Sequence, residues 1–311
     1  MPTPEGEAGG GIGAANPFPD DPDLERHAAY EFDQTGPDRF QSRPLPSGLL
    51  RLYGGMIVSQ ALAAMQITVP ADKLVHAMHL FYQRAGLTDR PLQFAVERDT
   101  DGRSFAQRRV AVTQDGQPVA YAMASFQMPE AGGVHQDAMP DVAEPDGLEP
   151  LPAIMARRLD DVPLRHRPFW CRRQQFEWRP VEEFFIGEAA VHPAPRHFWF
   201  RANAAVDAPL HVHQRLLAYA SDTHIMQTAL RPLGLCWTDD HLQTSSLDHA
   251  IWFHGNFRVD EWLLYALDSP VASGARVLGT GKVFRRDGTL VATVVQQGLA
   301  RLLEQKREGK I

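Results

Sequence analysis

Two hydrophobic patterns alternate along the chain. From Met56 to Met65 the run is free of helix breakers and apolar on almost every face, which predicts a helix buried all round, ended by Pro70 and Asp72. The segments Leu74–Arg84, Pro91–Arg98, Ser104–Val112 and Val119–Gln127 are strand-like, separated by short Gly- or Asp-containing turns. This predicts an antiparallel meander. From Pro129 to about Arg165 the periodicity fades and Pro140, Pro145, Pro150, Pro152 and Pro163 appear, as in a linker, with a short helix around Ile154–Leu159. The pattern then restarts, with strands at Phe176–Pro180 and Arg196–Ala204 and a helix over His213–Leu230. Further strands are expected at Gln243–Phe253, Trp262–Asp268, Arg276–Phe284 and Leu290–Leu302.

The restart is a repeat. His76-Ala-Met-His-Leu-Phe-Tyr82 is echoed by His249-Ala-Ile-Trp-Phe, at an offset of 249 − 76 = 173. Asp115-Gly116, before Val119–Gln127, is echoed by Asp287-Gly288, before Leu290–Gln297, at 287 − 115 = 172. A long apolar helix followed by a curved antiparallel sheet, twice over, suggests the hotdog fold. The expectation is α+β: a double hotdog, two antiparallel sheets each wrapped around a central helix, paired to cover exposed sheet surface. Its boundaries are a flexible leader over 1–38, an N-terminal unit over 39–130, a linker over 131–165 and a C-terminal unit over 166–305.

A chain of 311 residues suits two domains of ordinary size, and 44% hydrophobic with 22% charged residues is a globular composition. A net charge of −7 argues against nucleic acid or an anionic membrane as the main partner. No apolar run approaches the roughly 20 residues of a membrane span. Cys171 and Cys236 lack metal spacing, and with no secretory or targeting signal evident a cytoplasmic location is expected. Gly9-x-Gly11-x-x-Ala14 mimics a dinucleotide fingerprint but follows no strand.

Tyr53-Gly-Gly, Asp101-Gly-Arg-Ser-Phe-Ala-Gln-Arg-Arg-Val110, Ala124-Ser-Phe-Gln127, Leu217-Ala-Tyr-Ala-Ser-Asp222, Leu247-Asp-His-Ala-Ile-Trp-Phe-His254 and Val295-Gln296 run collinearly through the chain. In these stretches the sequence resembles the acyl-CoA thioesterase II family, double-hotdog enzymes that hydrolyse fatty acyl-CoA. The resemblance implies a hydrolase of lipid metabolism that takes acyl-CoA as substrate and needs neither metal nor other cofactor. It assigns catalysis to Asp222, Ser246 and Gln296, with Ser246 where relatives often carry Thr. Asp222 would be the general base or an anionic anchor for the water, and Ser246 and Gln296 would orient that water by hydrogen bonds. An enoyl-CoA hydratase on the same fold and a non-catalytic acyl-CoA-binding protein are the alternatives.

The residues support that assignment. On a helix Asp222 would share an apolar face with Ala218, Ile225 and Ala229, where a carboxylate needs strong hydrogen-bond partners. Aligning the repeats sets Gln60 against Asp222, and Val75 near the position of Ser246. An amide cannot be a general base, so one active site per chain is expected, in the second half. Gly54-Gly55 is a candidate for backbone donation to the thioester oxygen, with a tight turn the equal alternative. Asp248-His249 reads as a buried polar contact that fixes its strand. Pairs among His76, His79, His249 and His254 point to opposite strand faces, and His211-x-His213 lacks a third ligand, so no metal is expected. Arg108-Arg109 and Arg285-Arg286 are candidates for CoA phosphates, against a default of solvated surface arginines. Homo-oligomers formed through exposed sheet edges are also expected.

Overall fold

The computed structural model describes residues 31–44, 50–167, 174–184 and 190–304. Strands β1 (Phe32–Gly36) and β2 (Arg39–Ser42) precede helix α1 (Gly54–Ile67), then β3 (Leu74–Tyr82), β4 (Gln93–Asp101), β5 (Phe105–Gln114) and β6 (Gln117–Gln127). After α2 (Leu151–Arg158) come β7 (Phe176–Pro180), β8 (Arg196–Ala202), α3 (Leu210–Ala220), α4 (Ile225–Leu230) and β9 (Leu242–Ser246). β10 (Asp248–Phe253), β11 (Leu263–Ser273), β12 (Arg276–Arg285) and β13 (Leu290–Leu302) complete the chain.

The two expected sheets are halves of one. Hydrogen bonding runs in the order β1-β2-β4-β5-β6-β3-β10-β13-β12-β11-β8-β7, with β9 added on β13. The seam is the antiparallel pair β3–β10, where Leu80 faces His249 and Met78 faces Ile251. Joining the half-sheets there satisfies two edges that would otherwise be open. One continuous apolar core carries side chains of both halves, among them Leu62, Leu80, Leu217 and Ile251.

Helix α1 is buried from Gly55 to Met65, in keeping with its unbroken apolar run, and packs over β3, β4, β5 and β6. It runs antiparallel to α3: Gly55 lies against Tyr219, Ser59 Oγ donates to Arg215 O at 2.7 Å, and Gln66 Nε2 reaches His211 O at 3.4 Å. Gly55 is required there, because a Cβ would lie 2.3 Å from Tyr219 O. Between β5 and β6, Asp115 and Gly116 both have positive φ (51° and 72°), the two-residue turn their sequence predicts.

Other expectations change. Phe32–Gly36, assigned to the leader, forms an edge strand paired with β2. Residues 1–30, with the Gly/Ala-rich fingerprint mimic, and Cys171 lie outside the described residues. The linker is laid along the second half: Trp199 Nε1 donates to Ala143 O, Lys282 pairs with Asp137, and Arg286 pairs with Glu144 and Asp146. The single helix expected over His213–Leu230 is two, broken at Ser221–His224. The strand expected over Gln243–Phe253 also divides at Leu247, whose N–H bonds Gln297 O.

Candidate active site

The helix break puts Asp222 in a turn rather than on the helical face shared with Ala218, Ile225 and Ala229. Neighbours on β8, β10 and β11, with Tyr53 just ahead of α1, hold that turn. Tyr265 Oη donates to Ser221 O at 2.7 Å, and the Tyr53 hydroxyl lies 2.8 Å from Thr223 Oγ1. Ser221 Oγ lies 2.9 Å from His249 Nε2. His224 has φ +67°, a left-handed conformation costing a non-glycine residue about 1–2 kcal/mol, and stacks on Phe198 at 4.0 Å between centroids. Burial, then the nearby Arg196 charge, lowers its pKa to about 3, so the ring is neutral.

Asp222 reaches across to the first half. Its Oδ2 accepts the N–H of Gly55 at 2.8 Å, in the first turn of α1. That helix has no side-chain cap from Tyr53 and no acidic residue in its own first turn, so Asp222 caps it from the other half. The Gly55 N–H, considered above for the thioester oxygen, is therefore committed to the carboxylate. Tyr82 Oη lies beside the same turn, buried and without a hydrogen-bond partner among the described residues. Burial, then the Asp222 and Asp248 charges, raises its pKa well above 10 and keeps the proton on.

The three residues assigned to catalysis meet here. Gln296, fully buried on β13, donates from Nε2 to Asp222 Oδ1 at 2.8 Å and to Ser246 Oγ at 2.9 Å. Ser246 arrives on β9, which pairs with β13 through Gly298↔Ser246 and lies between α4 and β10 in the chain. The oxygen of the Gln296 amide lies 2.7 Å from His249 Nδ1. His249 is fully buried, and burial lowers its pKa against the raising influence of Asp222 and Gln296. Asp248 binds elsewhere, accepting Gln297 N–H at 2.8 Å, so the strand-fixing contact expected of the Asp-His pair belongs to Asp248 alone.

The repeat alignment also shifts. Counted from the first residue of each helix, Asp222 corresponds to Gln66 (222 − 210 and 66 − 54, both twelve), not to Gln60. Gln66 lies at the start of α3 as Asp222 lies at the start of α1, bonding His211 O and accepting Arg215 Nε at 2.5 Å. Gln296, counted back from the paired Asp-Gly turns, falls on buried Ala124 (296 − 172). The histidine echo does not survive: a bulge between Val75 and Ala77 sets His76 against Ser125 and Phe105.

Asp222, Thr223 and Ser246 line a cavity of about 410 Å³ whose apolar wall includes Phe176, Trp178 and Trp237. Leu151, Pro152 and Met155 of the expected linker also line it, as do Leu52 and Gly54 from the first half. The cavity therefore draws on both halves, where sequence placed the catalytic side chains in the second and only the Gly54-Gly55 candidate in the first. The arginine candidates are otherwise engaged. Arg108 is fully buried and bonds Thr68, Thr100 O and Asp101, while Arg109 pairs with Asp99 and Glu97. Arg285 pairs with Asp287. Among the described residues no group of three His, Cys, Asp or Glu side chains could hold a metal ion, and no helix is long and apolar enough to cross a membrane.

Family models match both halves: one described as acyl-CoA thioesterase over residues 169–299, the other as acyl-CoA thioesterase N-terminal domain over 42–127. The sequence is 32% identical over 267 residues to acyl-CoA thioesterase 2 of Haemophilus influenzae, covering 85% of this chain and 93% of that one. To human acyl-coenzyme A thioesterase 8 it is 35% identical over 282 residues, covering 88% of each. Its fold superposes on the crystal structure of an acyl-CoA thioesterase II, TesB2, from Mycobacterium marinum with TM-score 0.71 and 32% identity, over 90% of this chain and 99% of that one. A hotdog-fold protein from Alicyclobacillus acidocaldarius shares the fold at 18% identity, with TM-score 0.70 over 89% of this chain and 97% of that one.

Proposed function

The chain belongs to the acyl-CoA thioesterase II family and hydrolyses acyl-CoA thioesters, and we propose that it does so by activating one water, with Asp222 as general base and Ser246 and Gln296 orienting that water. One observation carries the reading: a single amide nitrogen, Gln296 Nε2, bridges the Asp222 carboxylate and the Ser246 hydroxyl. A carboxylate has about four acceptor positions, and the bonds from Gly55 and Gln296 use one on each oxygen. Asp222 thus keeps acceptor capacity for a water proton.

In the reaction, Asp222 takes a proton as the water oxygen adds to the thioester carbon. The C–S bond then breaks, the carboxylic acid forms, and the proton passes to the departing CoA sulfur. Ser246 stays unacylated in this reading: its hydroxyl receives the Gln296 amide N–H, and among the described residues no carboxylate or imidazole is hydrogen-bonded to it. The acyl chain occupies the apolar cavity lined by Phe176, Trp178 and Trp237, with CoA toward the surface.

The same reading takes 39–130 and 166–305 as two hotdog units, each half-sheet wrapped on its helix and 131–165 crossing between them. It places the enzyme in cytoplasmic lipid metabolism as a homo-oligomer. The exposed aromatics Phe81, Tyr121 and Trp252, with Met123, on the central strands support pairing through the sheet face rather than its edges.

Thiol release measured across acyl-CoAs of increasing length tests the activity. Asp222→Asn is expected to lower kcat about a thousandfold with little change in KM or melting temperature. A single turnover in ¹⁸O-water should deliver the label to the fatty acid. Label found in Asp222 instead would mean a covalent anhydride and overturn the direct attack of water.

A further inference from the structure

Catalysis as proposed needs the Gln296 amide held one way round, and the residues behind it determine which. A carboxylate only accepts hydrogen bonds, so the amide end 2.8 Å from Asp222 Oδ1 must be the NH₂ group. Its oxygen then lies 2.7 Å from His249 Nδ1, and that nitrogen must carry a proton. With burial depressing its pKa, His249 is neutral and has one ring proton only. Nε2 is therefore bare and accepts the Ser221 hydroxyl proton across 2.9 Å. Ser221 has an alternative acceptor, Ala218 O at 3.0 Å, so its one proton selects between two partners.

We infer that His249 and Ser221 are positioning residues that fix the direction of the Gln296 amide, and through it the hydrogen bonds offered to Asp222 and Ser246. The relay runs Ser221 O–H to His249 Nε2, His249 Nδ1–H to the Gln296 oxygen, and the Gln296 NH₂ to Asp222 and Ser246. Turning the amide over would set its oxygen against the carboxylate and its NH₂ against an N–H donor. Both contacts would then be repulsive in a buried site. His249 is more than a strand support, since Asp248 already ties its strand to Gln297.

The inference rests on the catalytic reading above, and its test separates the two. In the full-length protein labelled with ring-¹⁵N histidine, the signal lost in His249→Asn identifies His249. It should show Nδ1 protonated and Nε2 unprotonated at neutral pH. In thiol-release assays His249→Asn, which keeps a donor at the δ position, should stay within about tenfold of the parent kcat. His249→Gln and His249→Leu should lose about a hundredfold with KM little changed, because the amide is misplaced rather than absent. An Nε2-protonated ring, or an Asn variant that folds yet is no faster than a folded Leu variant, overturns the relay even if hydrolysis is normal. Failure of the parent enzyme to release CoA would instead strike the catalytic reading, leaving the ring spectrum to judge the relay.

Discussion

The junction between α3 and α4 and the far end of α1 occupy equivalent places in the two halves, yet only one carries a carboxylate. Each lies twelve residues into its helical segment and touches the start of the opposite helix. In the second half the chain breaks into a turn, and a carboxylate caps α1 with Gln296 behind it. In the first, α1 continues through Gln66 to Ile67, the side chain is an amide, and Ala124 stands where Gln296 would be. Arg108 then clamps the helix end through Thr68. The two places thus differ in several local features at once, while the packing frame is shared.

Moving the carboxylate gives the largest test of that contrast. The double variant Asp222→Asn with Gln66→Asp should remain about a thousandfold below the parent in thiol release, because the first half lacks Gln296 and Ser246 counterparts. Activity above that of Asp222→Asn alone would mean a second latent site. Gly54→Ala probes the contribution of the first half. Its Cβ would lie 2.8 Å from Asp222 Oδ2 and 3.0 Å from Tyr82 Oη, and displacing that carboxylate should cost about a hundredfold in kcat. An unchanged rate would confine the site to the second half.

Gly55→Ala meets backbone instead, at Tyr219 O, and should destabilise the protein by about 1–3 kcal/mol in urea unfolding. The last contrast is read through pH dependence rather than rate. Unfolded, His224 takes up a proton near 6.5, whereas the native ring resists until about 3, so its contribution is full above 6.5 and lost progressively below. Its counterpart, Thr68 (224 − 210 and 68 − 54, both fourteen), does not titrate. His224→Asn, which suits left-handed φ, should flatten stability against pH between 6.5 and 3 by up to about 1.4 kcal/mol per pH unit. An unaltered slope would remove His224 as its source.

The frame was legible wherever structure follows local pattern. The Met56–Met65 run announces a helix buried all round, and Asp115-Gly116 announces a hairpin. The repeat and the family resemblance together brought Asp222, Ser246 and Gln296 into view. What escaped is nonlocal. Ser221–His224 contains neither Gly nor Pro, and its break is held by Phe198, Tyr265 and Tyr53 from distant elements. The division at Leu247 is set by pairing with β13. Similar sequence also misled: His76 and His249 look equivalent until the β3 bulge turns one toward Ser125 and leaves the other behind Gln296.

The β3–β10 seam makes the duplication a ratchet. Once Asp222 rests on the first turn of α1, the copy without this carboxylate still supplies the N–H that holds it in place. A lineage could not shed that copy without also baring the edge of β10 from Asp248 to Trp252, an open template for aggregation. The first half stays indispensable as the surface against which the other half is shaped.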